Sequence, residues 1–587
     1  MGYQEILALV GGIALFLFGM TVMGDALERS AGRQMKNILG KFTSNPVKGF
    51  ILGMTVTAII QSSSATTVML VGFVNSGLMT LTSAIPVIMG ANVGTTITAW
   101  ILSLSGLEGD SFIVQIFKPS TFTPILAAIG VILFVFIKNA RKKDIGLALL
   151  GFAVLIFGMD AMSDAVSGLK NVPEFTNLFT KFKNPILGVL VGALVTAIIQ
   201  SSSASVGILQ ALAATGQIPF ISAIPIIMGQ NIGTCVTAMI SSVGANKNAK
   251  RVAMVHLYFN IISTVVLLAA FSVCDHVFDI EAMLPPYIDE VGIAIVHSAF
   301  NITATLILLP FGRLLGKLAT ITVRDKSGTA EKTALFDERL LATPAVAIDR
   351  TKAVAFEMAD LSLSSVKRSI GMLDAYSDSD MEYVTKDEDR ADVLEDEIGS
   401  YLLKISGREL SAEDNLEVTK LLHMIGDLER LSDHAVNLAE SSREMYEKNV
   451  AFSDSAKREL DVMTDAVGEI IDIALRSFKE NDVELAKTVE PLETVIDDLQ
   501  SDIRLNHIAR LKRNECTVEL GFILSDLLTN LERIADHCSN IAGCVIEIDR
   551  SSLGMHGYTR DVKGGSAAYD ELYEKYSEKY SLLPKLV

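Results

Sequence analysis

The residues best suited to chemistry in this chain belong to a nonapeptide that occurs twice. Residues 57–65 and 196–204 both read TAIIQSSSA, so Gln61, Ser62, Ser63 and Ser64 return as Gln200, Ser201, Ser202 and Ser203. Each copy lies at the polar centre of an apolar stretch, 46–77 or 185–217, that is too long for one membrane span. Such a stretch suits a hairpin that enters a membrane and returns on the same side. Uncharged hydroxyl and amide groups, together with free backbone N–H groups, can replace water around an ion. A helix starting at the turn aims its positive dipole end at the mid-plane and favours an anion. Two such hairpins bring two helix ends together and suit an oxyanion with many acceptor oxygens. The competing reading is that serine runs only let membrane helices pack closely. Recurrence of nine residues inside two hairpin-length segments favours a site.

Each copy is followed by a second polar segment, IMGANVGTT at 88–96 and IMGQNIGTC at 227–235. Asn92, Thr95, Thr96, Asn231 and Thr234 offer the carbonyl and hydroxyl oxygens that hard cations such as sodium prefer, often from broken helices. A helix-kink reading of Gly94 and Gly233 explains a bend there but not the flanking Asn and Thr. A shorter echo joins AMVHLYFN at 253–260 to AIVHSAFN at 294–301. It places His256 near Asn260, and His297 near Asn301, on one helix face within a span. These histidines are candidates for function or for bridging neighbouring helices. Asp160 stands where the first copy has Thr21, either to neutralise a cation or at the interface.

The elements that position these groups follow from hydropathy and charge. The chain has 587 residues, 50% of them hydrophobic, a mean hydropathy of +0.40 and a formal charge of −18. That charge is a sum of unlike parts: residues 1–324 carry a net of +5 and residues 325–587 a net of −23. The first part suits lipid and the second water. An acidic soluble half excludes a nucleic-acid binder. Five cysteines without a CxxC read as reduced thiols, and no nucleophile or P-loop motif marks an enzyme. Residues 6–24 lack a basic leader before them and read as a first membrane helix. Apolar runs at 6–27, 82–105, 121–137, 146–166, 220–243, 252–272 and 291–311 give seven crossings.

Counting each hairpin as no net crossing, the basic loops at 28–45 (Arg29, Arg33, Lys36, Lys41), 138–143 and 247–251 fall on one face with Arg313, Lys317 and Arg324. That face is cytoplasmic and the N-terminus external. Glu108, Asp110 and the acids between Asp275 and Glu290 lie opposite, where Lys170, Lys181 and Lys183 run against the trend. A shift of 139 residues aligns the repeats, about 6–138 and 145–272, with Asn45-Pro46 on Asn184-Pro185. Three crossings separate equivalent points, and an odd number inverts the second copy. Inverted repeats around a mid-plane site are a hallmark of secondary transporters.

The doubled QSSS, each followed by N-[IV]-G-T, and R-V-A-x-x-H-x-x-F-N at 251–260 resemble the type II sodium–phosphate cotransporter family across residues 1–312. The resemblance implies sodium-coupled transport of inorganic phosphate across the cytoplasmic membrane of a bacterium. By motif it assigns phosphate binding to Gln61–Ser64 and Gln200–Ser203. Sodium falls to Asn92, Thr95, Thr96, Asn231 and Thr234, with Thr66 and Ser205 beside the serines. Thr67 becomes Val206 and Thr96 becomes Cys235, so a sodium site using those positions exists in one half only.

Beyond a linker at 313–344, residues 345–550 are polar, helical in period and interrupted only by Pro491, which predicts a helical bundle. GDLERLSDHAVN at 426–437 returns as TNLERIADHCSN at 529–540. Glu429 and Asp433, like Glu532 and Asp536, stand four apart on one helix face, as a cation-sharing pair or as part of a solvated surface. The L-E-R-x-x-D-H-x-x-N signature resembles the PhoU-like family of phosphate-signalling proteins, whose fold is two three-helix bundles. That resemblance implies an E-x-x-x-D motif for divalent or iron clusters, which Glu388/Asp392 and Glu493/Asp497 also fit, with Asp392/Asp396 an equal alternative register. Arg430 and Arg533 are expected to pair with carboxylates. The tail at 551–587, with Gly564-Gly565, reads as a loosely attached helix or a disordered segment.

The expected fold is therefore all-α: a polytopic membrane protein with inverted repeats and two re-entrant hairpins, then a soluble PhoU-like double three-helix bundle. The expected function is sodium-coupled phosphate transport by alternating access under PhoU-like regulation, with homodimerisation left open. A membrane phosphate sensor and a phosphate exporter are the alternatives.

Overall fold

The computed structural model describes residues 3–39, 45–104, 119–167, 184–324, 335–408, 410–549 and 567–582, and it divides into two units, Met1–Val346 and Ala347–Val587. Lys41, Glu108, Asp110, Lys170, Lys181, Lys183 and Gly564-Gly565 lie outside the described residues, as do the side chains of Arg33 and Lys36. Among the described residues regular structure is helical throughout, apart from a single bridge between Pro219 and Tyr287.

In the first unit α1 (Tyr3–Leu39) leads to the hairpin α2 (Pro46–Ile60) and α3 (Ser63–Asn75), then α4 (Leu81–Ser103) and α5 (Pro119–Phe136). The second repeat runs α6 (Ala140–Ser167), hairpin α7 (Pro185–Ile199) and α8 (Ser202–Ala213), α9 (Phe220–Ser241) and α10 (Lys247–Phe278). Then come α11 (Glu290–Leu308) and α12 (Gly312–Thr322). Six helical stretches are long and apolar enough to cross a membrane; the seventh expected span is the shorter apolar helix Thr121–Phe136. Exposed Val10, Phe18, Val135, Ile198, Val265 and Leu306 give this unit the apolar exterior that lipid requires.

Local sequence explains where the hairpins begin. Asn45 accepts from the Val47 and Lys48 amides and Pro46 opens α2; Asn184 and Pro185 do the same for α7. Glycine then sets how closely each hairpin sits on its partner. A Cβ on Gly53 would meet the Val87 carbonyl oxygen at 2.0 Å, and one on Gly192 would meet that of Ile226 at 2.1 Å. These contacts are equivalent under the 139-residue repeat. Gly94 and Gly233 serve the same approach: a Cβ on Gly94 would lie 2.6 Å from the Met54 carbonyl oxygen, and one on Gly233 2.4 Å from that of Ala193.

The inversion is visible where α1 crosses α6. A Cβ on Gly12 would lie 3.1 Å from the Gly158 carbonyl oxygen, and one on Gly19 2.7 Å from that of Gly151. Gly12 and Gly19 are the repeat equivalents of Gly151 and Gly158, so the two contacts exchange under the repeat and the helices run antiparallel.

Loops expected on one face also meet. Asn246 donates its backbone N–H to Asn75 Oδ1 at 2.7 Å and its side chain to the Asn75 carbonyl at 2.9 Å, while Arg251 donates to the Val323 carbonyl. At the opposite end the Phe220 and Ile288 amides pair with the carbonyls of Pro286 and Ile218.

Residues 335–343 fold onto the first unit as a strap. Buried Asp337 accepts from Asn75 Nδ2 at 2.6 Å and from Arg339 at 2.9 Å, and Arg339 donates to the Ser241 and Val243 carbonyls at the end of α9. One carboxylate thus ties the end of a hairpin helix in the first repeat to a helix end in the second. Asp337→Ala leaves Arg339 without its carboxylate and Asn75 without its acceptor. The expected loss is about 2 kcal/mol, read as an earlier thermal transition of the detergent-solubilised chain.

The second unit comprises α13 (Pro344–Met372), α14 (Asp378–Ser406) and α15 (Ala412–Lys448), then α16 (Asp454–Glu480), α17 (Val489–Lys512) and α18 (Val518–Asp549). Ser, Asp and Asn residues cap them: Ser377, Ser411 and Ser453 bind the first turns of α14, α15 and α16. The tail contributes α19 (Ala567–Lys579), held by Tyr569 on Thr494, Tyr573 on Asp498 and Tyr580 on Glu469.

Candidate functional site

The two QSSS motifs come together at the hairpin turns. Gln61 and Gln200 end α2 and α7 in the left-handed conformation, with φ of 60° and 61°. Extended Ser62 and Ser201 then cap α3 and α8, their hydroxyls accepting from the Ala65 and Ala204 amides. The next residues, Ser63 and Ser64 or Ser202 and Ser203, open each helix, so their backbone N–H groups have no intrahelical acceptor and point out of the helix end. Ser64 Oγ donates to the Gln200 carbonyl at 3.3 Å, which places the two turns against each other. Ser63, Ser202 and Ser203 are buried; Ser62, Ser64 and Ser201 are half-buried. No charged side chain belongs to either motif, so the junction presents two dipole ends and a set of hydroxyls.

The repeat is broken at the glutamines. Gln61 is buried, its Oε1 accepting from Thr98 Oγ1 at 2.9 Å, whereas Gln200 is exposed and Thr237, the equivalent of Thr98, donates to the Thr234 carbonyl instead. The difference is confined to the glutamines, since Ser202 and Ser203 are buried beside Gln200.

The expected sodium residues line the same region. Thr66 donates to the Ser62 carbonyl and accepts from Thr57 Oγ1 at 3.0 Å, while Ser205 is buried with its hydroxyl unpartnered. Thr95, Thr96, Asn231 and Thr234 bond to carbonyls of their own helices. Asn92 Nδ2 is buried and unpartnered. Sequence reasoning passed over Thr57 and Gln230, whose Nε2 donates to the Ser205 carbonyl at 3.0 Å. Gln230 replaces Ala91 of the first copy, and that polar departure inside a matched segment was the available signal.

In the second unit the signature helices meet through histidine. His434 Nδ1 lies 2.9 Å from Asn530 Oδ1, His537 Nδ1 lies 2.9 Å from Asp427 Oδ1, and the rings stack with centroids 5.5 Å apart. Each contact maps on the other under the internal repeat. The carboxylates form two acidic faces. Glu429 is raised to about 7 by burial, then by Asp433 and Glu395, with Arg430 opposing. Glu388 is raised by burial and by Asp433, Asp389 and Asp392. Glu532 is raised by burial and Asp536, with Asp497 adding to it. Arg533 pairs with Asp536 at 3.3 Å.

Glu395 belongs to the first face although no motif flagged it. Among the described residues no three carboxylate, histidine or cysteine side chains converge as a metal-ligand set, Glu493 and Asp497 included.

A proton held on Glu429 in the folded state and lost near 4.5 from a free carboxyl stabilises the fold fully below pH 4.5. That contribution disappears as pH rises towards 7. Glu429→Gln is expected to flatten this decline and to raise the melting temperature at pH 8. Solvent screening limits the gain to about 1 kcal/mol; differential scanning fluorimetry from pH 4 to 8 reads it.

Family models agree with this division. The Na+/Pi-cotransporter model matches residues 15–164 and 167–285, and the PhoU domain model matches 356–442 and 460–545. Residues 15–285 belong to the Na+/Pi-cotransporter family, and the second half carries PhoU repeats. The chain is 26% identical over 547 residues to the "Putative inorganic phosphate export protein YjbB" of Salmonella typhimurium, covering 92% of this chain and 97% of that one. Over 98 residues it is 39% identical to the sodium-dependent phosphate transport protein 2A of Rattus norvegicus, covering 16% of this chain and 15% of the relative. A crystal structure of PhoU from Pseudomonas aeruginosa aligns with 35% of this chain and 97% of its own, at 22% identity and a TM-score of 0.33. The protein is a multi-pass membrane protein that carries a PhoU domain, and phosphate transport is the family's activity.

Proposed function

We propose that the first unit carries inorganic phosphate across the cytoplasmic membrane coupled to sodium, by alternating access at the paired QSSS turns, and that the second unit regulates it from the cytoplasm. The contact between Ser64 Oγ and the Gln200 carbonyl carries this reading, because it joins two inverted hairpins at one anion-favouring junction. Phosphate would take the amides and hydroxyls of Ser62, Ser63, Ser64, Ser201, Ser202 and Ser203 and the amides of Gln61 and Gln200. Sodium would take oxygens of Thr66, Asn92, Thr95, Thr96, Ser205, Asn231 and Thr234. Clustering of Asn75, Ser241–Asn246 and Val323 at one end supports placing all the basic loops on the cytoplasmic face.

Export is the second reading, favoured by a relative named for phosphate export that matches nearly the full length of the chain. A carrier runs down the sum of its gradients, so direction follows the ions rather than the fold. Labelled phosphate flux in proteoliposomes, with a sodium gradient imposed in each direction, tests both. Saturable flux that reverses with the gradient is expected. Phosphate binding without flux in either direction would make the protein a sensor.

A further inference from the structure

Two stripes of buried polar side chains lie outside the QSSS hairpins. On α10 the residues His256, Asn260, Ser263 and Thr264 follow one another at helical spacing, and on α11 His297, Asn301 and Thr305 do the same. None of the seven is more than 3% exposed. Asn260 and Asn301 are oriented alike: each Nδ2 donates to the carbonyl of the histidine four residues earlier, at 3.0 and 2.9 Å, and each Oδ1 is unpartnered. The hydroxyls of Ser263, Thr264 and Thr305 and both ring nitrogens of His256 and His297 also lack partners. Buried groups of this kind are costly unless something satisfies them. Packing between the helices uses Asn260 Nδ2, on Cys235 Sγ, and leaves the oxygens and the ring nitrogens without a partner.

We propose that these stripes form a cation site for sodium, with Asn260 Oδ1, Ser263 Oγ and Thr264 Oγ1 as ligands on α10 and Asn301 Oδ1 and Thr305 Oγ1 as their counterparts on α11. Neutral carbonyl and hydroxyl oxygens one helical turn apart are the donors that a hard cation takes. No acidic residue lies in 252–274 or 291–312, so a divalent ion would be left with its charge uncompensated, and a monovalent ion fits. The placement links the site to the rest of the first unit. Asn260 Nδ2 also reaches Cys235 Sγ at 3.3 Å on α9, directly after Thr234, and α11 packs on α4. Ion occupancy on α10 therefore bears on the scaffold of the second hairpin.

The inference rests on sodium being the coupling ion, and its test separates the two. Trp100, the chain's only tryptophan, donates to Ser298 Oγ at 2.9 Å, one residue beyond His297. Its fluorescence in the purified full-length protein, titrated with sodium chloride against choline chloride without phosphate, reads the α11 stripe directly. A saturating, sodium-specific change is expected.

Asn260→Leu and Asn301→Leu keep side-chain size and remove the oxygen. They should raise half-saturating sodium tenfold or more, in fluorescence for Asn301 and in proteoliposome phosphate flux for both. Asn260→Asp and Asn301→Asp should lower it, a reversal of sign that a packing role does not give. Half-saturating sodium within twofold of wild type in folded leucine variants overturns the site, as does a fluorescence change with pH but none with sodium. Wild-type flux indifferent to sodium overturns the coupling reading, while the fluorescence titration still decides the site.

Discussion

Gly53→Ala and Gly192→Ala are expected to prevent the first unit from assembling, whereas Gly11→Ala is expected to be silent. The added methyl carbon at Gly53 or Gly192 falls 2.0 or 2.1 Å from a backbone carbonyl oxygen of α4 or α9. A flexible side chain could swing away, but a helix backbone cannot without moving the whole element. Overpacking a tight core typically costs about 1–3 kcal/mol, and a clash with backbone belongs at or above the upper end. Nothing lies within 4 Å of the same atom built on Gly11. Yield of monodisperse protein in detergent, and its melting temperature, check the contrast. Equal behaviour of all three variants would mean that the hairpins do not sit on α4 and α9 as described.

Ser63→Ala and Ser202→Ala should each weaken phosphate transport by about 10- to 100-fold in apparent affinity. Hydrogen bonds to a charged group contribute roughly 1.5–3 kcal/mol, which converts to that range. Both hydroxyls are buried at the start of a helix whose dipole favours an anion, and neither takes part in capping. Ser62→Ala makes a useful contrast. It removes the cap on α3, so it should lower stability as well as affinity, by about 1 kcal/mol. Phosphate-concentration curves for flux, paired with thermal melts, separate the two effects. Normal flux from Ser63→Ala and Ser202→Ala would remove the serines from the substrate site.

The same contrast between groups that hold the fold and groups left over runs through the molecule. In the first unit the caps, the glycine contacts and the Asp337–Arg339 pair fix the hairpins. The Ser63 and Ser202 hydroxyls and the oxygens of α10 and α11 are buried without such duties. In the second unit the histidine pair fixes α15 against α18, and the acidic faces take no part in that contact. The tail helix is better attached than its composition suggests, because three tyrosines reach polar partners on α16 and α17.

By itself the sequence determined which segments repeat, which residues are polar in an apolar setting, and which half belongs in lipid. Those features are local and periodic, and each copy of a repeat calibrates the other. It also singled out the serines as candidates, because nine unchanged residues in a membrane segment need a reason beyond propensity. What it could not give was the meeting of Ser64 with Gln200 across 136 positions, or the different fates of Gln61 and Gln200, since equivalent residues acquire different neighbours in the folded chain. The role of Gly94 and Gly233 was not legible, because a glycine is as compatible with a bend as with a close contact and only the partner helix shows the contact. Glu395 joined the acidic face through packing of α14 on α15, not through a motif. The orphaned oxygens of Asn260 and Asn301 became visible only once every neighbour was in place. A hydrogen-bond donor that never arrives is a property of the tertiary structure, and no stretch of sequence records it.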